Sequence, residues 1–190
     1  MRIGIIGAGQ LGQMLGYAAH DLNLECRFVD PSEAPPAARC GKVIQSSFDD
    51  PVALIALAET CDVITYEFEN VPVDALQHIA GIAPVYPPAN ALKYSQDRLH
   101  EKRLFDELEI PLPGYFAIDD REDLDKAEKQ LGLPMVIKTR RFGYDGKGQF
   151  VARSQDDLEA AWEALGDQPL IAEQWVGFDS EVSCIGVRSV

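Results

Sequence analysis

The sequence predicts an α/β protein in which a parallel sheet wound on both faces by helices is followed by a smaller α+β unit. Three observations carry that expectation. Short apolar runs alternate with helix-period segments as far as Tyr86. The turn Gly7-Ala8-Gly9-Gln10-Leu11-Gly12 joins the first apolar run directly to the first helical pattern. The pair Pro87-Pro88 then breaks the rhythm, and the segments beyond it alternate differently.

Taken in order, Ile3 to Ile6 reads as a short buried strand, Leu11 to Ala19 as a helix, Cys26 to Val29 as a second strand and Val43-Ile44 as a third. Asp49-Asp50-Pro51 opens a helix, with proline tolerated in its first turn and Val52, Leu54, Ile55 and Leu57 as its apolar residues. Val63 to Tyr66 is a strand, Val73 to Ile79 a helix and Pro84 to Tyr86 a further strand. Strands separated by crossover helices call for a parallel sheet covered on both faces. A charged helix runs from about Asp97 to Leu108. Beyond Pro111 and Pro113, Tyr115 to Ala117 is a strand and Arg121 to Leu131 a helix that stops at Gly132. Met135 to Ile137, Phe150 to Ala152, Leu170 to Ala172 and Val182 to Val187 complete the strands. Ser154 with Asp157 forms a capping box for a helix that buries Leu158, Ala161, Trp162 and Leu165. The domain assignment is 1–96, a connecting helix and linker at 97–113, and a second unit at 114–190.

Of the 190 residues, 17 are Lys or Arg and 31 are Asp or Glu, for a formal net charge of -14. Such a chain repels nucleic acid and anionic lipid, so its expected partners are small molecules and other proteins. No apolar run reaches the length of a membrane span, and no secretory signal opens the chain. The four cysteines are scattered without metal-ligand spacing, which points to reduced thiols in a cytoplasmic protein and to no metal site within the chain.

Two glycine loops carry the candidate chemistry. The first, followed by Asp30 at the end of the second strand, has the context of a dinucleotide-binding turn, yet backbone N–H groups at a helix N-terminus hold any phosphate. Asp30 lies among Pro31, Pro35 and Pro36, where a turn or cap role is equally open. The second, Lys138 to Gln149 (KTRRFGYDGKGQ), gathers four of the 17 cations around three glycines. Its glycines offer N–H donors to a polyphosphate, and Lys138 and Lys147 supply point charges. The spacing does not match the GxxxxGK[ST] phosphate loop.

With GAGQLGQM (7–14), YEFENV (66–71), Gln96-Asp97-Arg98, KTRRFGYDGKGQ (138–149) and AEQWVGFDSEVS (172–183), the chain resembles the ATP-grasp enzymes over essentially its whole length. Within them it is similar to the N5-carboxyaminoimidazole ribonucleotide synthetase family. The resemblance implies a Rossmann-like pre-ATP-grasp domain followed by an ATP-grasp lid subdomain. It further implies carboxylation of 5-aminoimidazole ribonucleotide with bicarbonate and ATP, in purine biosynthesis, by a homodimer that uses Mg²⁺. Lys138, Asp145 and Lys147 are its catalytic candidates. Arg98, Lys138, Gly143, Tyr144, Asp145, Gly146, Lys147, Gly148, Gln149 and Glu181 would hold ATP, with Glu173, Gln174, Trp175 and Val176 as the adenine hinge. Gln10 and Leu11 would take the ribonucleotide's 5'-phosphate, and Glu67 or Glu69, with Tyr144 and Asp145, its aminoimidazole. The family's acidic Mg²⁺ ligands follow the lid and are expected beyond Val190, so the 190 residues read as an N-terminal portion with no turnover by itself. The alternatives are another ATP-grasp carboxylase or ligase, an NAD-dependent oxidoreductase, and a noncatalytic nucleotide-binding fragment.

Overall fold

A computed structural model describes residues 1–143 and 147–187. It divides into two compact units, Met1–Glu101 and Lys102–Val190.

The first unit is built on a four-stranded parallel sheet in the order β3-β2-β1-β4, with β1 at Arg2–Ile6, β2 at Glu25–Asp30, β3 at Gly41–Gln45 and β4 at Val63–Tyr66. Helix α1 (Gln10–Asp21) and a 3-10 turn at Pro36–Arg39 cover one face, where Ile5, Ala8, Ala19, Phe28 and Ala37 are buried together. Helices α2 (Pro51–Glu59) and α3 (Val73–Ile79) cover the other, over Ile6, Val29, Leu54, Leu57, Ile64 and Leu76. Each such fully buried aliphatic side chain contributes roughly 1.5–3 kcal/mol, which is why both faces must be covered. The Asp50 carboxylate caps α2 by accepting the Val52 N–H, as the Asp-Asp-Pro opening predicts.

Two features depart from the sequence reading. Pro84 to Tyr86 makes a single bridge, Val85 with Ile64, because its proline lacks the N–H that a full ladder needs. A short helix, α4 (Ala89–Ser95), follows Pro88 where no element is predicted; proline just before its start supplies the fixed φ that begins it.

Helix α5 (Arg98–Glu107) leads into the second unit, an antiparallel sheet in the order β5-β8-β6-β7. Its strands are β5 (Tyr115–Ile118), β6 (Met135–Thr139), β7 (Gln149–Ala152) and β8 (Leu170–Gln174). Helices α6 (Arg121–Leu131) and α7 (Gln155–Leu165) bury Leu124, Ala127, Leu158 and Ala161 against Ile118, Met135, Ile137, Ala152, Leu170 and Ala172. Capping boxes start both helices, Asp120 with Asp123 and Ser154 with Asp157. The predicted strand at 182–187 is absent: residues 175–187 carry no regular secondary structure, and Val182, Ile185 and Val187 are exposed. Their β-branched character is a strand signal that finds no ladder among the described residues.

Candidate functional site

In the first unit the loops after β1, β2 and β4 meet at the C-terminal edge of the sheet, between the strands where the chain order reverses. Helix α1 starts at Gln10 with no side-chain cap of its own and no acid in its first turn. The Glu67 carboxylate, just past β4, supplies what is missing, and the Asp30 carboxylate at the end of β2 ties down the loop before the helix. The Ala8 N–H donates to Asp30 Oδ2 at 2.8 Å and the Ser32 N–H to Asp30 Oδ1 at 2.8 Å. The Gly9 N–H donates to Glu67 Oε1 at 2.7 Å, and the Gly12 N–H to Glu67 Oε2. A carboxylate is favoured here because the first N–H groups of a helix lack internal acceptors and present a positive dipole end.

This arrangement gives the glycines a local reason. A Cβ on Gly9 would stand 2.9 Å from Glu67 Oε1, and one on Gly12 would stand 2.8 Å from Glu67 Oε2 and 2.9 Å from the Gly7 carbonyl oxygen. Gly7 has φ of +99°, and its Cβ position is filled by the Glu67 side chain. Asp30, 6% exposed and bonded through both oxygens, is a clamp on the loop, with little of its surface left for a ribose hydroxyl. That burial weighs against the dinucleotide reading. Gln10 and Leu11 are exposed as the first residues of α1, and Glu69 is half-buried beside Glu67 in the loop after β4. The buried Gln96 side chain, which sequence reasoning did not assign, donates to the Glu69 and Val71 carbonyl oxygens and so pins that loop. Its only sequence signal is its place in the Gln96-Asp97-Arg98 motif.

In the second unit, strand alternation sorts the residues of the sheet. Met135, Ile137 and Thr139 of β6 point one way, and Val136 and Lys138 the other. Lys138 stands directly opposite Gln149 on β7, and Glu173 of β8 opposite Val136 and Tyr115. Lys138, Gln149, Glu173 and Tyr115 therefore share one face, and the Lys138 ammonium crosses to Glu173 Oε2 at 2.9 Å. Glu173 is buried at 8% exposure, and Lys102 Nζ approaches the same oxygen at 3.5 Å. From the next turn of α5, Asp106 accepts the Tyr115 hydroxyl. Burial, with that hydrogen bond added, pushes the Tyr115 phenol up to about 12. The raised value means the contact stabilises the fold fully below about pH 10 and fades as pH rises toward 12. Tyr115→Phe should accordingly remove one late-titrating phenol from the ultraviolet titration. Loss of an early-titrating phenol instead would refute the contact.

The remaining candidates are dispersed. Gly143, Lys147 and Gly148 lie in the loop between β6 and β7, whose Tyr144, Asp145 and Gly146 fall outside the described residues. Arg140, one of the four cations of this motif, turns into the sheet edge. It donates to the Leu170 and Ile118 carbonyl oxygens and pairs with Asp119 at 2.9 Å. The backbone of Glu173 is held in the ladder between β5 and β6. The Gln174 N–H donates to the Gly114 carbonyl at 2.8 Å and the Trp175 N–H to the Pro134 carbonyl at 3.3 Å. Trp175 is part-exposed under the Arg153 guanidinium, 5.3 Å from its ring centroid. Val176 and Glu181 are exposed past the end of β8, and Arg98 opens α5 within the first unit. Among the described residues no group of three or more His, Cys, Asp or Glu is placed to hold a metal ion. Burial pushes the Cys26 and Cys61 thiols up, away from reactive thiolates. No helix among the described residues is long and apolar enough to cross a membrane.

Comparison with known proteins follows the same division. Residues 1–96 match the ribonucleotide synthetase preATP-grasp domain and residues 103–190 the ATP-grasp domain. The chain is 42% identical over 189 residues to N5-carboxyaminoimidazole ribonucleotide synthase of Pseudomonas aeruginosa, covering 100% of this chain and 52% of the relative. It is 35% identical to phosphoribosylaminoimidazole carboxylase of Schizosaccharomyces pombe, covering 99% and 34%. Among solved structures it superposes on N5-carboxyaminoimidazole ribonucleotide synthetase in complex with ADP, with a TM-score of 0.89, 37% identity, and coverage of 94% and 48%. The Aspergillus clavatus synthase in complex with ADP and 5-aminoimidazole ribonucleotide gives a TM-score of 0.83 at 32% identity, covering 94% and 47%. The chain thus spans about half the length of the bacterial relative and of these structures. With both halves matched in order, the chain belongs to the ribonucleotide synthetase preATP-grasp domain family and continues into an ATP-grasp domain.

Proposed function

We propose that the complete protein carboxylates 5-aminoimidazole ribonucleotide. Bicarbonate takes the γ-phosphoryl group of ATP, and the substrate amine attacks the resulting carboxyphosphate, or CO2 released from it. The products are N5-carboxyaminoimidazole ribonucleotide, ADP and phosphate. The observation that carries this reading is the buried Glu173 carrying two lysines on the sheet face that also holds Gln149, since such a cationic surplus suits an anionic nucleotide. Mg²⁺, when bound by ligands elsewhere in the protein, would neutralise phosphate charge.

In this reading Lys138 meets the phosphates, and the loop from Gly143 through Tyr144, Asp145, Gly146, Lys147 and Gly148 to Gln149 closes over them. Closure excludes the water that would hydrolyse an acyl phosphate. The hinge role of Glu173 to Val176 falls on the backbone of Trp175 and Val176, past the ladder, and Glu181 and Arg98 complete the ATP contacts. At the first unit, Gln10 and Leu11 face the 5'-phosphate with N–H groups that have no intrahelical acceptor. Glu69 is the better candidate for the aminoimidazole, because Glu67 already holds Gly9 and Gly12. Free cysteines suit a cytoplasmic setting, and the family resemblance implies a homodimer.

The test is incorporation of labelled bicarbonate into an acid-labile product, dependent on both ATP and 5-aminoimidazole ribonucleotide. ATP hydrolysis with no dependence on the ribonucleotide would leave only a generic ATP-grasp activity. NAD should not bind at the first loop, since Asp30 is engaged. Saturable NAD binding by calorimetry that disappears in Asp30→Ala would restore the oxidoreductase reading.

A further inference from the structure

Glu173 needs one cation and has two. Lys138 Nζ and Lys102 Nζ converge on the same carboxylate oxygen, at 2.9 and 3.5 Å. Both lysine side chains are largely covered, at 24% and 13% exposure, and the Glu173 side chain is at 11%. The trio carries one surplus positive charge in a chain whose net charge is -14. Lys102 belongs to no glycine loop and is explained by none of the roles assigned above. Its place is fixed independently, because Asp106, four residues on and one helical turn away, is hydrogen-bonded to Tyr115 on the same sheet face.

We propose that Lys102 is the standing counter-ion of Glu173, a positioning residue that lets Lys138 leave the carboxylate for the phosphates of a nucleotide. The proposal rests on Lys138 being the phosphate contact. A buried carboxylate stripped of its only cation is strongly disfavoured, since neither water nor a partner then compensates its charge. With Lys102 in place, Glu173 stays paired whichever way Lys138 points. Without it, Lys138 is held at Glu173, and apparent nucleotide affinity falls in proportion to the fraction of molecules in which Lys138 is released. Neutralising Glu173 removes the requirement altogether.

Calorimetric titration of the complete protein with ADP tests this. Lys102→Met should weaken ADP binding about tenfold or more, equivalent to about 1.4 kcal/mol. Lys102→Gln, which keeps a donor without the charge, should weaken it similarly, and Lys102→Arg should keep affinity within about threefold. The double variant Lys102→Met with Glu173→Gln should recover most of the loss. A lysine that only docked α5 would leave the double variant as weak as the single one, and that result overturns the proposal, as does unchanged affinity in Lys102→Met. Lys138→Ala separates the two levels: wild-type ADP affinity there refutes the phosphate role of Lys138 itself, whatever Lys102 does.

Discussion

Lys138→Ala in the complete protein should lower kcat/KM for ATP by about a hundredfold or more, while Lys42→Ala should change it less than about fivefold. Both variants remove one cation from an acidic chain, so position alone separates them. Lys42 is exposed on the edge strand β3. A surface charge there is screened and is worth under about 1 kcal/mol to any contact. Lys138 is part-buried on β6, with its ammonium on a buried carboxylate and Gln149 directly across the ladder. A charge that meets phosphate in a site closed to water contributes roughly 2.7–4 kcal/mol to the transition state. Matched far-ultraviolet circular dichroism would exclude misfolding as the cause. Equal small losses in the two variants would remove Lys138 from the site and with it the case for the cationic glycine loop.

Most of the architecture was legible because period and punctuation agree along the chain. Val63–Tyr66, Val73–Ile79 and Arg121–Leu131 carry a short β-branched run or helical spacing between Pro, Gly and Asp boundaries, and they fold where those signals put them. The misses lie where local signal and ladder partner disagree. Residues 182–187 carry β-branched residues like a strand, but a strand exists only by pairing, and no described segment pairs with them. Helix α4 is too short and too mixed, at ANALKYS, for periodicity to rise above its surroundings.

The candidate site was legible in its residue types and not in its pairings. Lys138, Gln149 and Glu173 were each marked by a motif, and the antiparallel register puts them on one face. Lys102 and Gln96 carry no signal of their own, because a helical lysine or glutamine is ordinary until the fold brings a buried carboxylate or a loop carbonyl to it. The first glycine loop shows the converse. GxGxxG reads as a place for a ligand, but in this molecule the space over its three glycines is taken by the protein's own Glu67, contributed from 55 to 60 residues further along the chain. One sequence pattern serves both uses, since a phosphate and a carboxylate ask the same thing of a helix N-terminus.

That substitution makes Gly9 and Glu67 an energetically coupled pair. Gly9 has φ of -73° and ψ of -154°, an extended conformation open to alanine, so backbone strain does not oppose Gly9→Ala. All three of the nearest atoms to a Cβ at Gly9 belong to the Glu67 carboxyl group, at 2.9, 3.6 and 3.6 Å. The added methyl must therefore push the carboxylate off the Gly9 and Gly12 N–H groups, and hydrogen bonds to a charged group are worth about 1.5–3 kcal/mol. Gly9→Ala alone should destabilise the first unit by about 1–3 kcal/mol, and Glu67→Ala alone by a similar amount. In the Glu67→Ala background the methyl has nothing left to displace. There the smaller unfolded-state entropy of alanine, about 0.4–1 kcal/mol, offsets its poorer fit at an N-cap, and Gly9→Ala should cost less than about 0.5 kcal/mol. Urea unfolding followed by far-ultraviolet circular dichroism measures the cycle. Trp162 and Trp175, the two tryptophans of the chain, both lie in the second unit, so their fluorescence reports on that unit separately. Additive losses in the double variant would mean that Glu67 does not hold the loop, and the GxGxxG turn would then be vacant for a ligand at Gly9 and Gly12 after all.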